Sequence, residues 1–380
     1  MAKPLSLEVP ERSGGLEGRR RAVAVAPWPC ILRGSQGLAP QDDGSAIVSQ
    51  DRNQASGEDS LIARYFKPLV TDPGAFALVD DAAILSSSGE DIVVTTDAVV
   101  EGVHYLATDP PDTIARKALR VNLSDLAAKG AAPAGFLLTL ALRSKQDAWL
   151  KPFADALGED ARIFGCPLLG GDTVSTPGPQ MISITAFGRV PKGRMVGRTG
   201  ARPGDCILVT GTIGDAALGL DVLTGGAAAT ALASDLAAKE ALISRYRIPQ
   251  PRNVLAPAVR DHASASMDVS DGLAGDLTKL CAASDVSAIV DVASVPLSAE
   301  AAGLIAREAI CVETLLAGGD DYEVLCTAPP AQCDALIAAG QAVGLAVTAI
   351  GTIVAGHERP RFLDGQGREL VLKRLSFSHF

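Results

Sequence analysis

The residues in this chain with chemistry to offer are chiefly carboxylates, and they recur in one kind of setting. Asp80 and Asp81 follow FALV, Asp97 stands in TTDAVVEG and Asp125 in NLSDL. Asp172 stands in LLGGDT, Asp268 and Asp271 in MDVSDG, and Asp320 and Asp321 in AGGDDYE. Each follows an apolar run and is flanked by Gly, Ser, Thr or another Asp. Any one of them reads equally well as a helix cap or a turn residue. Six such groups in one chain point further, to a site for hard cations. Mg²⁺ takes a few carboxylates, keeps waters and accepts substrate phosphate oxygens as its remaining ligands. Zinc would want His or Cys at fixed spacing, and the four His and seven Cys show no such pattern. A glycosidase needs two carboxylates and does not call for six Gly-flanked sites. The chemistry this set suggests is phosphoryl transfer, in which metal ions neutralise and position the transferring group.

The usual phosphate cradles are missing. No G-x-x-x-x-G-K-S/T occurs, nor a protein-kinase Gly-rich loop with its catalytic set. TGTIGDAALGL places Gly211 and Gly214 before a helix and could offer backbone N–H groups to an anion. In LLGGDT, Gly170 and Gly171 let backbone approach a ligand while Asp172 holds a metal beside it. Arg198, which follows a strand, reads either as a partner of a nucleotide phosphate or as a surface ion pair. The acidic motifs also echo one another: NLSDL resembles DVSDG, and GGD occurs at both Asp172 and Asp320.

The elements that must position these groups alternate strand and helix. DIVVTTDAVV (91–100), MISITAFGRV (181–190) and DCILVTG (205–211) read as strands, as does FALV (76–79). Helical spacing runs through 113–131 and 147–165, and also through SLIARYFKPLV, where apolar residues fall at 61, 62, 65, 66 and 69. The second half repeats the mixture, with a boundary near ARPGD (201–205), where turn chemistry separates two strands. The pattern is α/β or α+β with two lobes.

The chain has 380 residues, room for two or three domains, and 47% of them are apolar. No apolar run reaches the 18 or so residues a membrane helix needs. There are 44 acidic against 34 basic residues, a net charge of −10. General nucleic-acid binding, which rests on cationic contacts to phosphate, is disfavoured. The surplus lies after residue 57, because residues 1–57 hold 7 basic and 6 acidic side chains. That first stretch lacks periodicity, is dotted with Pro, Gly, Ser and Gln, and reads as a disordered leader spanning 1–56. The cysteines read as small buried apolar residues of a reducing compartment, here the cytoplasm.

VDDAAIL, TTDAVVEGVHY, KALRVNLSDLAAKGA, LLGGDT, VTGTIGDAALGL, MDVSDGLAGDL, GGDDYE and a terminal SHF occur in one order. From Gly57 to Phe380 this series resembles the thiamine-monophosphate kinase family of the aminoimidazole-ribonucleotide synthetase-like (PurM-like) superfamily. The resemblance implies a two-domain PurM-like α/β fold. Residues 57–200 would form an ATP- and Mg-binding domain that builds a β-barrel dimer interface, and 201–380 a C-terminal α/β sandwich domain. It implies a homodimer that uses ATP and several Mg²⁺ ions to phosphorylate thiamine monophosphate to thiamine diphosphate by direct in-line transfer, with no phosphoenzyme, no nucleic acid and no membrane.

Carried over position by position, the resemblance makes Asp81, Thr95, Thr96, Asp97, Asp125, Asp172, Asp268 and Asp271 metal ligands. Gly171, Asp172, Arg198 and Ser270 would contact ATP. His104, Asp320, Arg374 and Phe377 would face the substrate. The chain departs from the family pattern at Val79, where Gly is usual, and at Asp320, where Glu is usual. Arg374 stands where an aromatic is expected, leaving Phe377 to serve in its place. Two rival readings stay open: another PurM-like ATP-dependent synthetase acting on a purine ribonucleotide, and a non-catalytic Mg²⁺- or nucleotide-binding regulator.

Overall fold

The computed structural model of the protein describes residues 62–72 and 89–372. Asp81, Arg374, Phe377, the FALV segment and the whole 1–56 leader lie outside the described residues. The apolar spacing expected to make a helix near 61–69 makes a π-helical turn, Ile62–Phe66, continued by a 3-10 turn, Lys67–Leu69.

Four strands make the first sheet: β1 (Glu90–Val100), β2 (Ala132–Leu142), β3 (Leu168–Ser175) and β4 (Met181–Pro191), in the order β1-β4-β2-β3. Helix α1 (Pro111–Ala128) follows β1, and α2 (Asp147–Ile163) links β2 to β3. Because β2 and β3 run parallel, they need such a crossover, whereas the other pairs are antiparallel. Strand β4 shows strict alternation: Ile182, Ile184, Ala186 and Val190 are buried while Ser183, Thr185, Phe187 and Arg189 are not. One face of the sheet therefore packs on helices, and the other is left open. Among the described residues this sheet does not close into a barrel, and the resemblance's barrel would need a second copy.

The second sheet has six strands, β5 (Cys206–Thr210), β6 (Ala265–Asp268), β7 (Ser287–Asp291), β8 (Val324–Ala328), β9 (Val347–Val354) and β10 (Arg361–Leu363), ordered β10-β7-β9-β5-β8-β6. Helices α3 (Asp215–Leu223), α4 (Leu236–Arg247) and α5 (Leu273–Ser284) lie in this half.

Helix α1 ties the halves together. Pro111 at its first turn and Asp112 beside it suit a helix start. Its end is closed by Ala131 N–H to Leu126 O at 2.9 Å and Gly130 N–H to Ala127 O at 3.0 Å. Fourteen of its residues are buried, from Thr113 to Ala128, so it is enclosed on nearly every side rather than lying on a surface. Its polar side chains reach out of the first half into the second. Arg120 donates to Pro249 O, and Ser124 to Tyr322 O, while Leu123 O accepts from Asn253. Arg120 also grips the fully buried Asp160 of α2 through two bonds. Each buried charge thus has partners, as the cost of desolvation demands.

Candidate active site

The acids meet where β1, α1 and the β6–α5 turn converge. Thr95 and Asp97 point from β1 towards α1, since alternate residues of a strand share a face. Thr95 Oγ1 donates to Asp125 Oδ2 at 2.5 Å, and Asp97 N–H to Asn122 Oδ1 at 3.1 Å. Asp268 ends β6, is buried, and feels the charges of Asp125, Asp276 and Asp97. Asp97 is exposed at the cleft, with the other carboxylates crowding it from one side. Burial, then the charge of Asp125 and a hydrogen bond with it, then Asp271, raise its pKa to about 6. Burial followed by Asp125 pushes Asp268 well above the usual carboxylate range. Four carboxylates, Asp97, Asp125, Asp268 and Asp271, are therefore held together against their own repulsion.

Asp276, which the sequence did not single out, shapes this group. Its Oδ2 accepts the N–H groups of Ser270 (3.0 Å) and Asp271 (2.9 Å), fixing the turn that presents them. Lys279 closes on both Asp271 and Asp276. Lys129 was also missed. Its Nζ donates to Ser266 O at 2.7 Å, and burial together with the Arg198 guanidinium lowers its pKa while Asp268 and Asp125 oppose that. Arg198 and Lys129 thus make a cationic edge beside the acids. No spacing rule would have found Lys129, because a Lys at a helix end reads as a solvated charge.

Two of the expected ligands do not join this cluster. The sheet register sets Asp97, Ile184, Leu138 and Gly171 in one transverse row, and Ala98, Ser183, Thr139 and Asp172 in the next. Adjacent rows face opposite ways, so Asp172 lies on the open face, three strands from β1. Thr96 shares that open face, where its hydroxyl bonds Ile184 O and Thr185 Oγ1, both at 3.1 Å. Both Asp97 and Asp172 lie inside strands rather than at strand mouths. The glycine before Asp172 also has a plain structural cause: a Cβ on Gly171 would sit 1.8 Å from Leu138 O.

The helix N-terminus at Gly214 is not free for an anion. Gly214 N–H donates to the buried Asp321 Oδ2 at 2.8 Å. Asp321 is thus part of the interior, as is Glu323, which binds Thr210, Arg245 and Arg252. Of the described cysteines, four are buried; Cys311 is exposed, at the cleft.

A cleft of about 820 Å³ opens beside the acids. Asp97, Ser270, Asp271, His104, Asp320 and Tyr322 line it, together with small apolar residues of α3. Among the described residues, the acidic and strongly basic side chains that line it, which also include Glu313, are all carboxylates. The AGGDDYE loop reaches the cleft by lacing onto the β6–α5 turn: Asp320 N–H bonds Ser270 O and Tyr322 N–H bonds Val269 O, both at 2.8 Å. Gly319 is required there, since a Cβ would come within 2.5 Å of Ser270 O. His104 Nδ1 accepts from Val100 N–H at 3.1 Å, which orients its ring at the cleft wall.

The donor set fits Mg²⁺. It is all oxygen, and its carboxylates repel one another in a way that bound cations would relieve. Among the described residues, no three acids or His/Cys side chains converge tightly enough to cage an ion unaided.

The two halves match the models of AIR synthase related proteins, the N-terminal domain model over residues 79–190 and the C-terminal domain model over 202–362. The thiamine-monophosphate kinase of Caulobacter vibrioides is 43% identical over 324 residues, 84% of this chain and 89% of that protein. The crystal structure of thiamine-monophosphate kinase from Stenotrophomonas maltophilia superposes with a TM-score of 0.70 at 40% identity, covering 77% of this chain and 90% of that one. A solved structure of AaThiL complexed with AMPPCP and TMP gives a TM-score of 0.68 at 29% identity, over 79% and 91% of the two chains. Fold and site thus define a two-domain, PurM-like AIR-synthase-related protein. Within that class, the chain belongs to the thiamine-monophosphate kinase family.

Proposed function

We propose that the protein transfers the γ-phosphoryl group of ATP to thiamine monophosphate, giving thiamine diphosphate. The observation that carries this reading is the cleft lined, among the described residues, by the carboxylates Asp97, Asp271, Glu313 and Asp320. Polyphosphates enter such a cleft only with cations to bridge them. The likeness to AaThiL complexed with AMPPCP and TMP supports the choice of substrates.

Asp97, Asp125, Asp268 and Asp271 would hold Mg²⁺, with the Thr95 hydroxyl steering Asp125 and Asp81 completing the set. Bound Mg²⁺ supplies neutralisation of charge on the transferring phosphoryl group. Arg198 and Ser270 orient the ATP phosphates, and His104, Asp320, Arg374 and Phe377 face the acceptor. The acceptor phosphate would attack the γ-phosphoryl group directly, and the protein's task is alignment.

A homodimer accounts for Asp172 and Thr96. Among the described residues the first sheet is open at both β1 and β3, and its exposed face carries Val94, Leu137 and Val174. Two such sheets closed into a barrel would set β3 of one chain beside β1 of the other. Within one chain β1 and β3 are three strands apart, about 14 Å, but across the barrel seam they would be neighbours at about 5 Å. Asp172 of the partner subunit, with its Gly171 alongside, would then stand beside Thr96 on the face the two share, one residue along β1 from Asp97, and reach the metal and ATP site from that side. The division into domains at 57–200 and 201–380 follows the two sheets, and a cytoplasmic setting suits the free thiols.

The test is direct: incubate the protein with ATP, Mg²⁺ and thiamine monophosphate and measure thiamine diphosphate. Turnover that disappears with EDTA is expected. No product at any Mg²⁺ concentration, with turnover on a purine ribonucleotide instead, would overturn the reading.

A further inference from the structure

Lys117 lies midway along α1 with only 2% of its surface exposed, a position in which an ammonium must be matched by partners. Its Nζ donates to Asp320 Oδ2 at 2.9 Å and to His104 O at 2.8 Å, and stands 3.8 Å from the centre of the Tyr246 ring. Tyr246 OH donates to the same His104 carbonyl at 3.2 Å. Asp320 and His104 both line the cleft, while Lys117 stands behind them. The reading of the acid cluster leaves this lysine with no task.

Asp320 is held from every other direction as well. Its Oδ1 accepts from Tyr322 OH at 3.1 Å. Its backbone, at φ 72°, and that of Tyr322, at φ 51°, lie in the left-handed region that side chains disfavour. Such a conformation costs on the order of 1 kcal/mol or more and persists only where its surroundings impose it. The bonds to Ser270 O and Val269 O supply that imposition. Each carboxylate oxygen makes one bond inward and retains an acceptor lone pair, and 24% of the side chain is still exposed. A short acidic side chain has been fixed at the cleft wall with accepting capacity to spare.

We propose that Lys117 is a positioning residue for acceptor recognition, anchoring the Asp320 carboxylate so that it accepts from the amino or cationic part of the organic substrate. It acts on the substrate through Asp320 and has no part in binding the phosphates. The inference rests on the kinase reading above and deepens it.

The experiment is steady-state kinetics on K117M, K117R, D320N and the K117M/D320N double variant, with melting temperatures taken alongside. K117M should raise KM for thiamine monophosphate about tenfold, comparable to losing one charge-assisted hydrogen bond, with KM for ATP nearly unchanged. K117R keeps the charge but not its point-like placement. It guards against a K117M that fails to fold, and should raise the same KM by a smaller factor. The double variant should be no worse than D320N alone, because both changes remove one arrangement. Additive losses, parallel rises in both KM values, or unchanged KM in folded K117M and K117R would overturn the proposal while leaving the kinase reading intact. A wild-type protein that neither binds nor phosphorylates thiamine monophosphate would overturn both.

Discussion

Thr95 Oγ1 lies 2.5 Å from Asp125 Oδ2, joining β1 to the last turns of α1 across the acidic cluster. A strand hydroxyl thereby sets the direction of a helix carboxylate. Asp125→Asn should lower kcat by at least about a hundredfold, as expected when a ligand is lost from a metal-assisted transfer site. It should leave metal-free stability unchanged or slightly higher, because repulsion with Asp97 and Asp268 is relieved. Turnover and thermal melting in EDTA check both halves of that statement.

The pKa of Asp97, raised to about 6 from an ordinary 3.8, makes a pH prediction. Between these values the folded protein holds a proton that the unfolded chain has released. Stability from this group is therefore fully present below about pH 4 and is lost as pH rises through about 6. In EDTA, the melting temperature of Asp97→Asn relative to wild type should rise across that window. Mg²⁺ affinity should rise with pH through the same window, because the ion competes with the proton. Calorimetric titration of Mg²⁺ at pH 5 and pH 7.5 would show it, and equal affinities would contradict the assignment of Asp97 as a ligand.

Asp97 and Asp172 on opposite faces of one sheet predict complementation between subunits. Asp97→Asn and Asp172→Asn homodimers should each be nearly inactive. Mixed and allowed to exchange, they should recover activity, because one site of each heterodimer carries neither change. Random exchange gives intact sites at about a quarter of the wild-type number. No recovery, with exchange verified by mass, would place Asp172 in the site of its own chain.

Glu323 is fully buried and held by Thr210, Arg245 and Arg252. Glu323→Ala leaves two guanidinium groups and a hydroxyl without their shared acceptor. Removing one partner of such a buried set costs about 3–5 kcal/mol. Urea unfolding should show a loss of that order, and a change below about 1 kcal/mol would show that the network relaxes freely.

What the sequence determined by itself was local: which residues carry chemistry, and which elements hold them. The acid motifs, the strands at 91–100 and 181–190, and the helix at 147–165 are written in nearest-neighbour patterns. Composition limited the site to hard cations, since oxygen ligands abound and His is scarce. Tertiary structure decided which of these groups meet. Whether Thr95 or Thr96 faces the cluster depends on which side of a period-two strand finds a helix, and that is set by packing. Gly214 offered an anion cradle in sequence, yet its N–H is taken by Asp321, 107 residues away. Lys117 looked like any helix lysine and proved to be buried against Asp320, 203 residues on. Such pairings arise when a chain folds back on itself and burial forces every charge to find a partner, and no local pattern encodes which partner that will be.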